Sequence, residues 1–238
     1  MGARHGAPPA RVVALHGWMR THADFDQVLA GLDAVAPDLP GFGATAPPPV
    51  PWGSSDYAEA VGPVLEEDGL PVVVVGHSFG GRVAVMLAAA RPDLVLALIL
   101  TGVPLLRPPG SPAPKPALGF RAAKTLNRLG LLSDTGMEQR RRRSGPPDYR
   151  AVNGVLRDVF VRVVNETNDG TYRRALATVE CPIELVWGEN DTVAPLAVAA
   201  EASRAVPRAK LASLPGVGHL VPTEAPGELR AAIDRQLG

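Results

Sequence analysis

Short apolar runs alternate with longer helical patterns along most of the chain. These runs are Arg11–Leu15, Ala34–Ala36, Pro71–Val75, Val95–Leu100, Ile183–Trp187 and Lys210–Leu214. Turn residues follow most of them, which is typical of strands. The segment Val72–Val75 is valine throughout, without polar alternation, and such a strand is covered on both faces. We therefore expect it at the centre of a parallel sheet.

Helical patterns separate these strands. They cover Ser54–Glu67, Gly80–Arg91, Pro195–Val206 and Ala225–Leu237. We expect the first two serines to cap the first helix, since a serine hydroxyl accepts a hydrogen bond from an unpaired backbone N–H. The alternation predicts an α/β sheet of about six main strands, mostly parallel, with helices on both faces and right-handed crossovers.

One long segment interrupts this rhythm. Residues 104–179 open with a proline-rich stretch and contain helical patterns at Ala117–Leu129 and Tyr149–Asn165, but no convincing core strand. The sheet pattern resumes directly afterwards. We therefore interpret 104–179 as an insertion over the end of the sheet, with 1–103 and 180–238 forming one core.

Composition narrows the class of protein. The chain has 238 residues, enough for one large domain, and its 24 basic and 24 acidic residues cancel. That balance argues against a nucleic-acid-binding protein held by a global positive charge. Cys181 is the single cysteine, so an internal disulfide framework and a multi-cysteine metal site are excluded. No apolar leader is visible and every apolar run is too short to cross a bilayer, so we expect a cytoplasmic protein without membrane contact.

The neutral total conceals an uneven distribution of charge. Residues 104–179 carry 14 basic and 6 acidic side chains, a net charge of +8, whereas 1–103 carry −5 and 180–238 carry −3. The insertion and the core are expected to attract each other, within a screening distance of about 10 Å. The same asymmetry favours an anionic substrate or partner at the mouth of a site.

A candidate nucleophile follows the valine-rich strand directly. Gly76-His77-Ser78-Phe79-Gly80 has the pattern G-x-S-x-G and precedes a helical segment. A serine on a sharp strand-to-helix turn needs glycine two residues to either side, because the backbone and the helix approach too closely there for a Cβ. The turn raises the serine hydroxyl out of the sheet and directs the Phe79 N–H at a developing oxyanion.

A serine nucleophile needs a base, and the base needs an orienting group. Among five histidines, His219 lies in a glycine-rich turn after the last predicted strand. We expect His77 to point away from the serine and His5 to lie in a mobile terminus. Asp191 follows another strand, with Glu189 as a competing carboxylate, although a surface histidine and an ordinary turn acid are the alternative interpretations. The chain order serine, aspartate, histidine is the order expected for a triad on such a sheet.

The loop after the first predicted strand is expected to complete an oxyanion hole. It reads His16-Gly17-Trp18 and brings the chain back over Ser78. The Trp18 N–H is then the second donor beside that of Phe79. Core packing is the alternative role for the Trp18 side chain.

These segments resemble the α/β-hydrolase superfamily, in its small lidded bacterial branch. The resemblance rests on His16–Trp18, Asp38–Gly43, Gly76–Gly81, Trp187–Asp191 and Gly216–His219. It implies that Ser78 is the nucleophile, His219 the base and Asp191 the orienting acid. It also implies that Trp18 and Phe79 are the oxyanion donors, and that the insertion is a lid.

Two features of the chain depart from parts of this superfamily. A serine in the nucleophile position counts against its epoxide hydrolases and haloalkane dehalogenases. Only ten residues precede Arg11, so we expect the N-terminal edge hairpin of the family to be missing or reduced.

The expected reaction is acyl transfer to water through an acyl-enzyme, and an ester, a lactone or a thioester suits it. Apolar Leu118, Phe120 and Phe160 in the insertion favour a small to medium, largely apolar acyl substrate, although packing within the insertion explains them equally well. No metal or organic cofactor is expected, since the sequence contains no ligand cluster, dinucleotide fingerprint or phosphate-binding loop.

Other functions remain open at this point. The same triad serves C–C bond hydrolases, lyases and cofactor-free perhydrolases, and a ligand-sensing protein with very slow turnover is a further alternative. The run Arg140–Arg143 is either a solvated lid loop or a docking patch for an acidic partner, such as a carrier protein that presents a thioester.

Overall fold

A mostly parallel sheet is the centre of the structure. The computed structural model describes residues 2–67, 69–107, 127–128, 133, 136, 150–152 and 154–238. Within them the strands are β1 (Gly2–His5), β2 (Val12–Leu15), β3 (Ala34–Pro37), β4 (Val72–His77), β5 (Val95–Thr101), β6 (Ile183–Gly188) and β7 (Lys210–Leu214). Their order is β1-β3-β2-β4-β5-β6-β7, and each neighbouring pair is parallel except β1 with β3. This architecture is the α/β-hydrolase fold expected from the sequence.

Helices cover both faces of the sheet. A short 3-10 helix (His22–Phe25) leads into α1 (Asp26–Leu29), and the others are α2 (Ser54–Glu66), α3 (Phe79–Ala90), α4 (Val155–Asn168), α5 (Thr171–Thr178), α6 (Leu196–Ala205), α7 (Val221–Glu224) and α8 (Pro226–Leu237). The four helices predicted between the strands are confirmed, with ends displaced by one residue at most. The short helices α1, α5 and α7 were not predicted, because a helix of one or two turns has too few residues for a clear periodicity.

The valine run shows why β4 lies at the centre. Val72 and Val74 pack in one hydrophobic cluster with side chains of α2 and α3, whereas Val73 and Val75 pack in a second cluster with α1 and α8. Each of the four side chains is at most 1% exposed. Successive side chains of a strand point to opposite faces, so a strand covered on both faces is apolar throughout.

The N-terminal strand corrects one expectation. The sheet has seven strands among the described residues, and β1 pairs antiparallel with β3, with Gly2 opposite Pro37 and His5 opposite Ala34. The edge is thus a single strand and not a hairpin, which agrees with a reduced edge, but His5 lies in this strand and not in a mobile terminus. An edge strand is half exposed and needs no apolar run, so the segment lacked the signal that marked the other strands.

The expected serine cap of α2 was wrong. Gly53 is the N-cap, and its N–H donates to the carboxylate of Asp56 at 2.7 Å. The Ser54 hydroxyl is buried and hydrogen-bonds instead with the Tyr172 hydroxyl of α5 at 2.7 Å. The Ser54 hydroxyl thus binds a side chain of another helix and not a backbone N–H of its own helix.

The described part of the insertion consists mainly of α4 and α5, and it contains no strand. The pattern predicted at Tyr149–Asn165 corresponds to α4. The pattern at Ala117–Leu129 lies almost entirely outside the described residues, and so do Leu118, Phe120 and Arg140–Arg143.

A buried arginine joins the insertion to the core. Arg82, one turn into α3, donates to the carbonyl oxygen of Val163 at 2.7 Å and to that of Pro104 at 3.0 Å. Its guanidinium group lies 5.3 Å from the centre of the Tyr172 ring. These contacts hold α4 and α5 beside the N-terminal half of α3, next to the turn that carries Ser78.

Candidate active site

Ser78 occupies the turn between β4 and α3 in a strained backbone conformation. Its φ is 50° and its ψ is −111°. A Cβ at Gly76 would clash with the backbone of Gly81, and a Cβ at Gly80 would clash with a carbonyl group of β2. The two glycines flanking the serine are therefore required by close packing of the backbone, as the motif predicted.

The loop after β2 contains a second strained residue. Met19 has a φ of 55°, and among the described residues only Met19 and Ser78 combine a side chain with a positive φ. Such conformations persist only where the surrounding structure enforces them, and they concentrate at functional sites. Both strained residues thus flank the same region of the molecule.

His16 anchors this loop to its neighbours. Its Nδ1–H donates to the Gly17 carbonyl oxygen at 2.8 Å, while its Nε2 accepts from the Leu39 N–H at 2.9 Å. The His16 carbonyl oxygen accepts from the Gly80 N–H at 3.0 Å. Burial lowers the pKa of His16, although its bond to Gly17 opposes that effect. Because Nε2 accepts from the Leu39 N–H, it carries no proton and the ring is neutral.

The carboxylate of Asp38 closes the neighbouring turn. It accepts from the His22 N–H at 3.0 Å, the His22 Nδ1–H at 2.8 Å and the Ala44 N–H at 3.3 Å. Burial alone raises the pKa of Asp38, but these hydrogen bonds outweigh burial and leave the pKa below its usual value. An ionised Asp38 thus fixes the Asp38–Gly43 turn against the loop after β2.

Aromatic side chains join the loop, the turn and the insertion. The Trp18 ring lies 5.3 Å from that of Phe79, 5.0 Å from that of Phe42 and 5.4 Å from that of Phe160, each in an edge-to-face arrangement. Trp18 and Phe79, the predicted oxyanion residues, are therefore adjacent. Phe160, on α4, brings the insertion to the same place.

The Asp191 carboxylate is buried and fully hydrogen-bonded. Its side chain is 1% exposed. Oδ1 accepts from the N–H groups of Val193 and Ala194, both at 2.8 Å, and Oδ2 accepts from Nδ1–H of His219 at 2.8 Å. With a proton on Nδ1, the Nε2 of His219 is free to accept one. Asp191 is thus both a turn residue and the partner of His219.

The competing carboxylate has a different partner. Glu189 is exposed, and its Oε1 accepts from the Ser213 hydroxyl at 2.9 Å. The structure therefore brings Asp191 to His219, and it leaves Glu189 at the surface.

The His219 ring lies next to the Ser78 turn. Its Cε1 and Nδ1 are each 3.0 Å from the position of a Cβ on Gly102. Gly102 follows Thr101, whose carbonyl oxygen accepts from the Ser78 N–H at 2.9 Å. The three candidate triad residues follow the carboxyl ends of β4, β6 and β7, on the same edge of the sheet.

A cavity of about 350 Å³ opens between the loop after β2, the Asp38–Gly43 turn and the start of α4, and none of the candidate triad or oxyanion residues lines it. Its lining residues are Met19, Arg20, Thr21, Gly41, Phe42, Gly43, Ala151, Val152 and Leu156. Arg20 is paired with Asp24 through Nε at 2.7 Å and Nη2 at 2.5 Å, so its charge is compensated. A larger groove of about 800 Å³ between α2, α3 and α5 contains none of the candidate site residues.

Among the described residues, no three His, Cys, Asp or Glu side chains form a group that could hold a metal ion. None of the helices in the described ranges has the length and apolar character needed to span a bilayer.

The sequence did not predict the contact between His77 and His219. A histidine beside the serine in sequence was set aside as a base, but its ring lies 4.9 Å from that of His219. Its Nε2–H donates to the His219 carbonyl oxygen at 3.0 Å. A local motif carries no signal for such a bond, because its acceptor lies on a loop 142 residues away.

Comparison with known proteins shows the family of this chain. The model of the alpha/beta hydrolase family matches residues 12–232. The chain belongs to that family. A pimeloyl-(acyl-carrier protein) methyl ester esterase of Aromatoleum aromaticum is 32% identical, over 87% of this α/β-hydrolase and 90% of the relative.

Two further proteins are similar to this chain either over a shorter length or at a lower identity. Lipase LipV of Mycobacterium tuberculosis is 44% identical over 39% of this chain, but the match spans only 36% of the lipase. The thioesterase domain from the curacin biosynthetic pathway superposes with a TM-score of 0.68, over 96% of this chain and 92% of the domain. At 22% identity, that structure supports the fold alone.

Because the His77 ring is buried, we predict that this α/β-hydrolase loses stability in mild acid. Burial, together with the neighbouring His219, lowers the pKa of His77 from 6.5 to about 4. Between these values the unfolded chain binds a proton that the folded chain excludes, so the free energy of unfolding falls as the pH drops. His77 accounts for about 2 kcal/mol of that fall between pH 7 and pH 5.

Urea unfolding at both pH values measures this contribution. The His77→Gln variant is expected to lose about 2 kcal/mol less than the unmodified chain between pH 7 and pH 5. All other titrating groups are the same in the two proteins, so their effects cancel. Equal losses would contradict the burial of a neutral ring.

Proposed function

We propose that this α/β-hydrolase is a serine hydrolase that cleaves an ester, lactone or thioester of a small to medium, largely apolar acyl substrate. The observation that carries the proposal is the 2.8 Å hydrogen bond between His219 Nδ1 and the buried Asp191, beside the strained turn of Ser78. The named relatives, an esterase and a lipase, support ester chemistry.

The proposed reaction begins with attack of Ser78 Oγ on the substrate carbonyl. His219 Nε2 takes the serine proton, and the Asp191 carboxylate stabilises the imidazolium that forms. The tetrahedral oxyanion accepts hydrogen bonds from the Trp18 and Phe79 N–H groups, helped by the positive N-terminal end of α3.

Collapse of this intermediate forms the acyl-enzyme. His219 gives its proton to the leaving group, which departs as an alcohol or a thiol, or stays attached to the acyl chain when the substrate is a lactone. Water then enters, His219 accepts its proton, and the resulting hydroxide attacks the acyl carbonyl. The second tetrahedral intermediate then collapses, His219 returns its proton to Ser78 Oγ, and the acid is released.

The apolar surroundings of Ser78 support the proposed substrate class. The rings of Trp18, Phe42 and Phe79 pack together with Phe160, and the cavity of about 350 Å³ that Phe42 also lines has room for a short acyl chain. We include residues 104–179 as the lid over this site, since α4 contributes Leu156 to the wall of the cavity and Phe160 to the contact with Trp18. Leu118 and Phe120 remain predicted pocket residues.

A substrate panel tests the proposed reaction. p-Nitrophenyl esters, lactones and acyl thioesters are offered beside a β-diketone, each to the unmodified chain and to Ser78→Ala. We expect turnover of at least one acyl substrate at about 1–1,000 per second, lost in the variant. Turnover of the β-diketone alone favours a C–C bond hydrolase, and binding without turnover favours a ligand sensor; either result contradicts the proposal.

The two neighbouring carboxylates provide a matched test of the triad. Asp191→Asn is expected to lower kcat by about 10³- to 10⁴-fold, because an amide favours the wrong tautomer of His219. Glu189→Gln, which removes a similar charge two residues away, is expected to leave kcat within about twofold, since an exposed charge is screened. Equal losses, or no loss in Asp191→Asn, would contradict the assigned roles.

A carrier-bound acyl group is a second candidate substrate. The relative from Aromatoleum aromaticum is named for an ester of pimeloyl-(acyl-carrier protein) and aligns over nearly its whole length. The insertion has a net charge of +8 and includes Arg140–Arg143. We propose that this run docks an acidic carrier protein.

Replacement of Arg140–Arg143 by serine separates docking from catalysis. For a carrier-bound ester at low salt, we expect kcat/KM to fall by about tenfold or more, since charge steering raises association rates by that order. Hydrolysis of the free ester is expected to stay unchanged. Equal losses on both substrates would remove the docking proposal.

A further inference from the structure

The His77 ring fills the space between the loop after β2 and the loop that carries His219. Its Nε2–H donates to the His219 carbonyl oxygen at 3.0 Å, and its Nδ1 is 2.8 Å from the position of a Cβ on Gly17. The side chain is 1% exposed. Any larger residue at Gly17 would therefore displace this ring, and with it the contact to His219.

The His219 loop is held from three directions. Asp191 binds the imidazole ring, and the exposed Glu224 accepts from the N–H groups of Gly218 at 2.6 Å and Leu220 at 3.0 Å. His77 binds the backbone of His219 itself. It is also the last residue of β4, directly before Ser78. This one bond joins the strand that carries the candidate nucleophile to the loop that carries the candidate base.

We infer that His77 is a positioning residue, whose Nε2–H donor sets the place of the His219 ring relative to Ser78 through the His219 carbonyl group. The inference rests on the proposed function, in which His219 must reach the serine hydroxyl. A displacement of about 1 Å between reacting groups is enough to slow a reaction by about a hundredfold.

The charge state of the ring agrees with this role. Burial, with smaller contributions from His219 and Arg20, lowers the pKa of His77 to about 4, whereas the hydrogen bond to the His219 carbonyl and the charge of Asp24 oppose this shift. A neutral His77 does not repel the imidazolium that forms on His219 during the reaction. Its Nδ1 is buried and has no hydrogen-bond partner among the described residues.

Two substitutions separate the donor from the rest of the side chain. His77→Gln places an amide N–H at a reach similar to Nε2–H, whereas His77→Leu fills the space without a donor. On a p-nitrophenyl ester we expect His77→Gln to keep kcat within about threefold. We expect His77→Leu to lower kcat by about 10- to 100-fold with KM little changed, because only the alignment of base and nucleophile is affected.

Unchanged kcat in His77→Leu, or equal losses in the two variants, would overturn the inference. If His77→Leu fails to fold, His77→Asn takes its place, since its shorter amide does not reach the carbonyl oxygen.

The NMR signal of the His219 Nδ1–H provides a readout independent of turnover. We expect this signal to shift in the leucine variant and to stay in place in the glutamine variant. If the unmodified chain hydrolyses no acyl substrate, the proposed function fails, and this signal alone decides the inference.

Discussion

The hydrogen bond between Asp191 and His219 is the interaction on which the proposed chemistry depends. A carboxylate that is 1% exposed must be paired, and Asp191 meets this requirement with two backbone N–H groups and one imidazole N–H. Burial keeps the bond from water, so the ring is held in one tautomer and one orientation. An exposed pair such as Glu189 and Ser213 provides no comparable constraint.

Parallel strand order brings this pair to the serine. The strands β4, β5, β6 and β7 are neighbours in that order, so their carboxyl ends lie along one edge of the sheet. Ser78 follows β4, Asp191 follows β6, and His219 follows β7. Ligands of open α/β sheets bind outside this edge, where short loops meet over a rigid base. Strain at Ser78 and Met19 is accordingly confined to the loops, while the valines beneath them pack on both faces.

Local patterns in the sequence were sufficient to predict most strands of the sheet and to select the candidate triad residues. The serine motif, the glycine-rich turn of His219 and the acid of Asp191 each follow an apolar run, and chain order relates them. The edge strand Gly2–His5 and the bond of His77 to His219 were missed for the same physical reason. Each depends on a partner distant in the chain, and a half-exposed or buried polar residue shows no periodicity that identifies such a partner.

Reaction with a fluorophosphonate, followed by peptide mapping, tests the central claim most directly. In this reaction the activated serine Oγ attacks phosphorus and displaces fluoride, which leaves a stable phosphonyl-serine without knowledge of the natural substrate. We expect a single adduct on the peptide that contains Ser78, formed with one equivalent of reagent per chain. An adduct on another residue, or a chain that stays unlabelled while folded, would contradict it.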